Sequence, residues 1–316
     1  MNWKDHRERS NHRMLGLARH LTTWLPRGVA RALLVPAVLY FVATSAAARR
    51  SSRQFLARAL PRPPSLADVF RHFMTFATVV LDRAYLVRDD LAAFDFELEG
   101  RERIEAVRVA GRGGFLIGAH LGSFEALRAL GRDAGARAGA PMRIVMVMFE
   151  ENARMINAAL AALNPKLADD IIGLGRSDSM LRVKVALDDG AIVGVLADRL
   201  LDHDAGSQDR RLVPFLGRPA AFPAGPFRLA ALMRRPVLLM LGIYEGGNRY
   251  RLVFETLHDF TDDTVDRHQA VDAALRHYVA RLEHYCRAYP YNWFNFFDVW
   301  DAGNAVATAH DDAQPA

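Results

Sequence analysis

Within "GAHLGSFEALR", residues 118–128, a histidine and a glutamate stand five positions apart, His120 and Glu125. An imidazole held by a carboxylate is a general base. The carboxylate fixes the tautomer and raises basicity, and the free ring nitrogen takes a proton from a hydroxyl or amine. On one continuous helix, residues five apart point about 140° from each other and do not meet. The pair works if His120 ends a strand, Leu121 and Gly122 turn, and Glu125 lies in a first helical turn capped by Ser123 or Gly122. That geometry predicts that Glu125 reaches back to the ring. A structural His–Glu pair at a strand end fits the same spacing. A serine hydrolase at Ser123 fits less well, because "LGSFE" lacks the second glycine of a nucleophile elbow.

The elements around the pair are those of an α/β fold. "PRPP" at 61–64 breaks the chain, and a helix follows over 65–87, with Ser65 as its cap and Asp68 three residues on. Strands are expected near 94–98, 114–119, 142–148, 170–173 and 191–197, and helices near 101–109, 123–134, 150–163 and 177–188. Runs such as "RIVMVM" and "AIVGVLA" suit strands covered on both faces. The alternation predicts a mixed, mostly parallel sheet flanked by helices, with the site at strand carboxyl ends. Residues 236–256 read as a hairpin turning at Gly246-Gly247. A helix is expected at 226–234. Another, at 264–288, carries Val271, Leu275, Tyr278, Val279, Leu282 and Tyr285 at core spacing. The tail after Trp300 is polar and alanine-rich.

Composition narrows the function. The chain has 316 residues, 51% of them hydrophobic, enough for a packed core. Its single cysteine, Cys286, excludes an internal disulfide and fits a reducing compartment. No Cys/His cluster has zinc spacing, and no metal is expected. The net charge of +5 is unevenly placed: residues 1–64 hold 12 Lys+Arg and 2 Asp+Glu, the remainder 29 and 34. Only three basic residues are lysine (Lys4, Lys166 and Lys184), so the arginine excess also reflects coding bias. The basic arm surrounds the uncharged run 32–48, which as a helix would extend roughly 25 Å against a hydrocarbon core of about 30 Å. Pro36 would bend it. Arg27 and Arg31 before it, and Arg49, Arg50, Arg53 and Arg58 after it, suit an interfacial or shallowly inserted helix better than a clean span. A buried core helix is the alternative. A signal peptide is not expected. Nor is nucleic acid binding, as the arm has no aromatic platform or helix-turn-helix. The reading divides the chain into a membrane-associated arm at 1–64, a catalytic domain at 65–302 and a tail at 303–316.

Four blocks carry a resemblance. "GAHLGSFEALR" resembles the His-x4-Asp/Glu motif of the glycerolipid acyltransferase superfamily, in its late lipid A (lauroyl/myristoyl) acyltransferase branch, with Ser123 where asparagine is usual. "GAIVGVLADR" (190–199), "VPFLGRPAAFPAGPFRLAALMRRPVL" (213–238) and "YPYNWFNFFDVW" (289–300) resemble that branch's later blocks, in order. The chain is thus identified as an outlying member over roughly residues 10–300. The resemblance implies transfer of a fatty acyl chain from an acyl carrier protein or coenzyme A thioester to a hydroxyl or amine of a lipid or glycolipid acceptor. It implies no cofactor, and a place on the cytoplasmic face of the bacterial inner membrane. His120 would be the base and Glu125 its orienting group, with direct attack and no acyl-enzyme on Cys286. Ser123, Asp198, Arg199, Arg218, Phe222, Pro223 and Gly225 would contact substrate, with "FPAGP" a rigid loop facing the site. Phe294, Phe296, Phe297 and Trp300 would line an acyl channel, sit at the bilayer interface or pack in the core. The competing readings are a thioester or ester hydrolase and a catalytically inactive membrane lipid-binding protein.

Overall fold

The computed structural model describes residues 27–88, 90–138, 142–149, 170–200, 209–261 and 266–300. The first 26 residues, the helix expected at 150–163 and the tail after Trp300 lie outside the described residues.

The alternating core follows the sequence closely. Helix α1 (Arg27–Thr44), α2 (Ala46–Ala59) and α3 (Leu66–Val87) precede β1 (Asp95–Glu99), α4 (Arg101–Ala110), β2 (Gly114–Gly118) and α5 (Phe124–Ala138). Next come β3 (Ile144–Phe149), β4 (Ile171–Leu174), α6 (Ser179–Asp188) and β5 (Ile192–Leu196). The chain then forms β6 (Arg210–Phe215), β7 (Arg218–Pro223), α7 (Gly225–Leu232), β8 (Pro236–Gly246), β9 (Arg249–Asp259) and α8 (Arg267–Ala288). Seven strands make one sheet in the order β1-β9-β8-β2-β5-β3-β4. All neighbours are parallel except the hairpin β8–β9, so the fold is a mixed, mostly parallel α/β sheet. The hairpin turns at Gly246 and Gly247, whose φ of 104° and 61° strain any side chain.

β2 lies between β8 and β5, and all five of its residues are buried. Side chains alternate across a strand. Phe115 and Ile117 therefore join the core face packed by α6, α7 and α8, while Leu116 joins the face packed by α3, α4 and α5. α3 begins with the expected capping box: the Ser65 hydroxyl accepts from the Asp68 amide, and the Asp68 carboxylate accepts from the Ser65 amide at 2.7 Å.

The N-terminal helices are fastened to this core. α1 buries only Ala30 and Val38. Val29, Leu33, Val35, Leu39 and Tyr40 stand exposed on it. With a mean hydropathy of 1.4 it is long and apolar enough to cross a membrane, the one such helix among the described residues. Two of the arginines expected to face anionic lipid, Arg27 and Arg31, face the protein instead, while Arg50 and Arg53 are exposed. Arg27 makes a two-pronged ion pair with the buried Asp82 of α3, and Arg31 donates to the Tyr244 hydroxyl at 2.6 Å. α2, also placed in the arm by sequence, sends Phe55 and Leu56 into the core, with the Phe55 ring 4.8 Å from Trp293.

Candidate active site

His120 leaves the carboxyl end of β2, as its spacing requires. The peptides around it are tied on every side. The Gly118 carbonyl accepts from the Ala197 amide at 3.0 Å and from the Tyr278 hydroxyl at 2.9 Å. The His120 carbonyl accepts from the Phe294 amide at 2.7 Å. The Gly122 amide donates to the Asn292 carbonyl, and the Ser123 amide to Gly242. Gly122 has φ +71°, and a Cβ there would lie 1.9 Å from the Gly242 oxygen. Only glycine permits this turn.

The imidazole's partner is Asp198, which follows the neighbouring strand β5. His120 Nδ1–H donates to Asp198 Oδ1 at 2.8 Å, and the His120 backbone amide donates to Oδ2 at 2.9 Å. Two further donors, Trp293 Nε1 and Asn295 Nδ2, reach Oδ2, each at 2.9 Å. Asp198 is 3% exposed, so all four donors count in a poorly screened setting. Burial pushes its carboxyl pKa up, but the imidazole, the bonds and Arg199 outweigh burial and hold it below the ordinary carboxylate range. In turn, burial and then the Arg199 charge depress the His120 pKa more than Asp198 raises it. The ring is therefore neutral at neutral pH. The bond to Asp198 assigns its proton to Nδ1 and leaves the Nε2 lone pair open. The side chain keeps 30% of its surface exposed, and among the described residues Nε2 has no hydrogen-bond partner. This is the geometry of a general base awaiting a hydroxyl or amine.

The expected partner of the ring was Glu125, and here the structure corrects the reading. Glu125 lies in the first turn of α5, as predicted, but its Oε1 accepts from Arg128 at 3.3 Å, one helical turn on. Both side chains are buried. The carboxylate runs along its own helix instead of back over the turn, and Nδ1 is already engaged by Asp198. Glu125 and Arg128 line a small open cleft with Arg83, Phe124, Met146, Met148 and Ile171.

A sequence profile of the family described as "Bacterial lipid A biosynthesis acyltransferase" matches residues 20–301. The chain belongs to that family. It is therefore an acyltransferase, acting on an acyl donor and a lipid acceptor. None of the curated proteins matches the sequence. Among solved structures, the 1-acyl-sn-glycerophosphate acyltransferase PlsC from Thermotoga maritima aligns over 81% of this chain and 98% of its own, at 16% identity and a TM-score of 0.35.

The remaining residues expected at the site of this acyltransferase divide into two groups. Ser123 and Arg199 share the strand-end cluster with His120 and Asp198, but both are occupied. The Ser123 hydroxyl is buried and caps α5 through the Ala126 amide at 3.3 Å. Arg199 donates to Asn295 Oδ1 at 2.7 Å and to the Phe294 carbonyl at 3.1 Å. Arg218, Phe222 and Pro223 lie on the antiparallel hairpin β6–β7, and Gly225 opens α7. "FPAGP" is thus the end of a strand and the start of a helix, not a loop. Phe222 is buried against Phe215 and Tyr278. Trp300 is core, its indole N–H donating to the Phe215 carbonyl. Cys286 is fully buried, and burial pushes its thiol well above the usual range. Sequence reasoning missed Asn292, Trp293 and Asn295. Their signal was polar atoms inside an aromatic run, which must find partners once buried.

Proposed function

We propose that this acyltransferase moves a fatty acyl chain from an acyl carrier protein or coenzyme A thioester to a hydroxyl or amine of a lipid or glycolipid, with His120 as base. The observation that carries the reading is the His120–Asp198 bond with Nε2 open at the strand end. Nε2 takes the proton as the acceptor oxygen or nitrogen attacks the thioester carbonyl. The tetrahedral intermediate collapses with cleavage of the carbon–sulfur bond, and the imidazolium returns the proton to the leaving thiolate. Asp198 holds the tautomer and stabilises the imidazolium; it does not take the proton itself. Cys286, buried and protonated, takes no part.

The enzyme works at the cytoplasmic face of the inner membrane, which its lipid acceptor and the exposed apolar side of α1 support. The test uses purified full-length protein, palmitoyl-coenzyme A or palmitoyl-carrier protein, and a bacterial membrane lipid extract, followed by mass analysis of lipid products. His120→Ala should cut acyl transfer by roughly 10²–10⁴. Near-normal transfer by this variant removes His120 from the mechanism. Release of free fatty acid without acylated lipid replaces the transferase reading with a hydrolase.

A further inference from the structure

The site reading uses His120 and Asp198, yet two of the carboxylate's four donors come from a segment far away in sequence. Trp293 and Asn295 both donate to Asp198 Oδ2. Neither bond is adventitious. Asn295 has its amide orientation set from its other end, because Oδ1 accepts from Arg199 at 2.7 Å and leaves Nδ2 to face Asp198. Trp293 is fixed at ring and backbone. Its ring packs at 4.8 Å from Phe55 and 5.2 Å from Phe215. Its carbonyl accepts from Nε2 of His72 at 2.7 Å, and the other nitrogen of His72 accepts from the Ser52 hydroxyl at 2.9 Å. His72 is fully buried, and those two bonds define its tautomer. Asn292 pins the same segment to β8, bonding both the amide and the carbonyl of Tyr244. A chain of hydrogen bonds therefore runs from Ser52 on α2 through His72 and Trp293 to Asp198 and His120.

We infer that Trp293 and Asn295 are positioning residues of the transfer reaction, which hold the Asp198 carboxylate oriented on His120 by filling its second oxygen with N–H donors. The inference rests on the proposal that His120 is the base. With Oδ2 occupied, only Oδ1 points at the ring, and the carboxylate cannot rotate away without abandoning buried donors. The indole and the carboxamide also share the carboxylate's charge. Removing one of them concentrates that charge on the bond to the imidazole.

Trp293→Phe keeps the ring and deletes the donor. Its kcat should fall roughly tenfold or more with little change in KM for the thioester, since only the base is disturbed. In an Asp198→Asn background the same substitution should change turnover less than about twofold, because residues acting through one group are non-additive. A second readout needs no substrate. The rate of His120 carbethoxylation by diethyl pyrocarbonate, followed by peptide mass against pH, reports the protonation of the ring. The groups facing the ring are Asp198, Arg199 and Arg83. With these unchanged, the midpoint should rise by roughly half a pH unit in Trp293→Phe. Asn295→Ala should move it the same way, and serves if the tryptophan variant folds poorly. Multiplicative losses, or a midpoint that stays or falls, overturn the inference. His120→Ala run beside them separates the two claims. Full turnover there refutes the base, while the carbethoxylation midpoint still judges the hold on Asp198.

Discussion

Asp198→Asn removes one charge and almost no volume, and the geometry dictates how the amide must sit. Oδ2 receives three donors, from the His120 amide, Trp293 and Asn295, whereas Oδ1 receives one. Placing the amide NH2 at Oδ2 would leave three buried N–H groups unpaired, at about 1–3 kcal/mol each. Placing it at Oδ1 opposes only Nδ1–H, and that clash is relieved if the imidazole moves its proton to Nε2. The amide oxygen therefore takes the Oδ2 position and the ring takes the wrong tautomer. Nε2 then carries a proton and cannot accept one. The loss should match that of a general base, roughly 10²–10⁴ in kcat, or about 2.7–5.5 kcal/mol of transition-state stabilisation. KM for the thioester should change little. Thiol release from palmitoyl-coenzyme A in the presence of membrane lipid gives both constants, and thermal unfolding followed by circular dichroism shows that the fold survives. A variant within a few-fold of wild type would refute the assignment of Asp198 as the group that sets the tautomer.

Burial and the Arg199 charge place the His120 pKa below its usual value of 6.5, so kcat/KM should lose activity only as pH falls below 6.5 and be flat up to neutrality. A midpoint at or above 7 contradicts this. His72, fully buried and depressed by burial to about 4, stays neutral in the fold between pH 6.5 and 4, where the unfolded chain protonates it. Its contribution is present above pH 6.5 and is lost as pH falls towards 4, by up to about 3 kcal/mol. Urea midpoints of wild type should therefore fall more between pH 7 and 5 than those of His72→Gln, and parallel falls would refute it. Replacing exposed Leu33 and Leu39 on α1 with aspartate should weaken flotation with phosphatidylglycerol vesicles at least about tenfold per leucine, at about 1.5–3 kcal/mol for each buried side chain. Melting should be unaltered, and unchanged flotation would show that α1 is not the membrane face.

What the sequence disclosed was local. The Ser65–Asp68 cap, the turn at Gly246-Gly247 and the strand–turn–helix around His120 all depend on residues within a few positions, and periodicity locates them. Glu125 was legible as a first-turn acid, but not its choice of Arg128. Asp198 stands 78 residues from His120, and only the parallel pairing of β2 with β5 brings them together. The hairpin β6–β7 escaped notice because its turn uses Leu216 at φ 51° beside Gly217 at φ 81°, and Leu216 carries no turn signal. The same distance in sequence hid Trp293 and Asn295, whose partner could be named only once the sheet was closed.

The lacing of residues 118–123 to Ala197, Gly242, Asn292 and Phe294 has an energetic meaning for turnover. A loop tied by backbone bonds to three other stretches of chain cannot drift as charge builds and collapses at its histidine. Water would have to rearrange its dipoles at that moment, and this loop has already done so during folding. The cost of arranging the reacting group is thus drawn once from the stability of the sheet, and is not met again in each catalytic cycle.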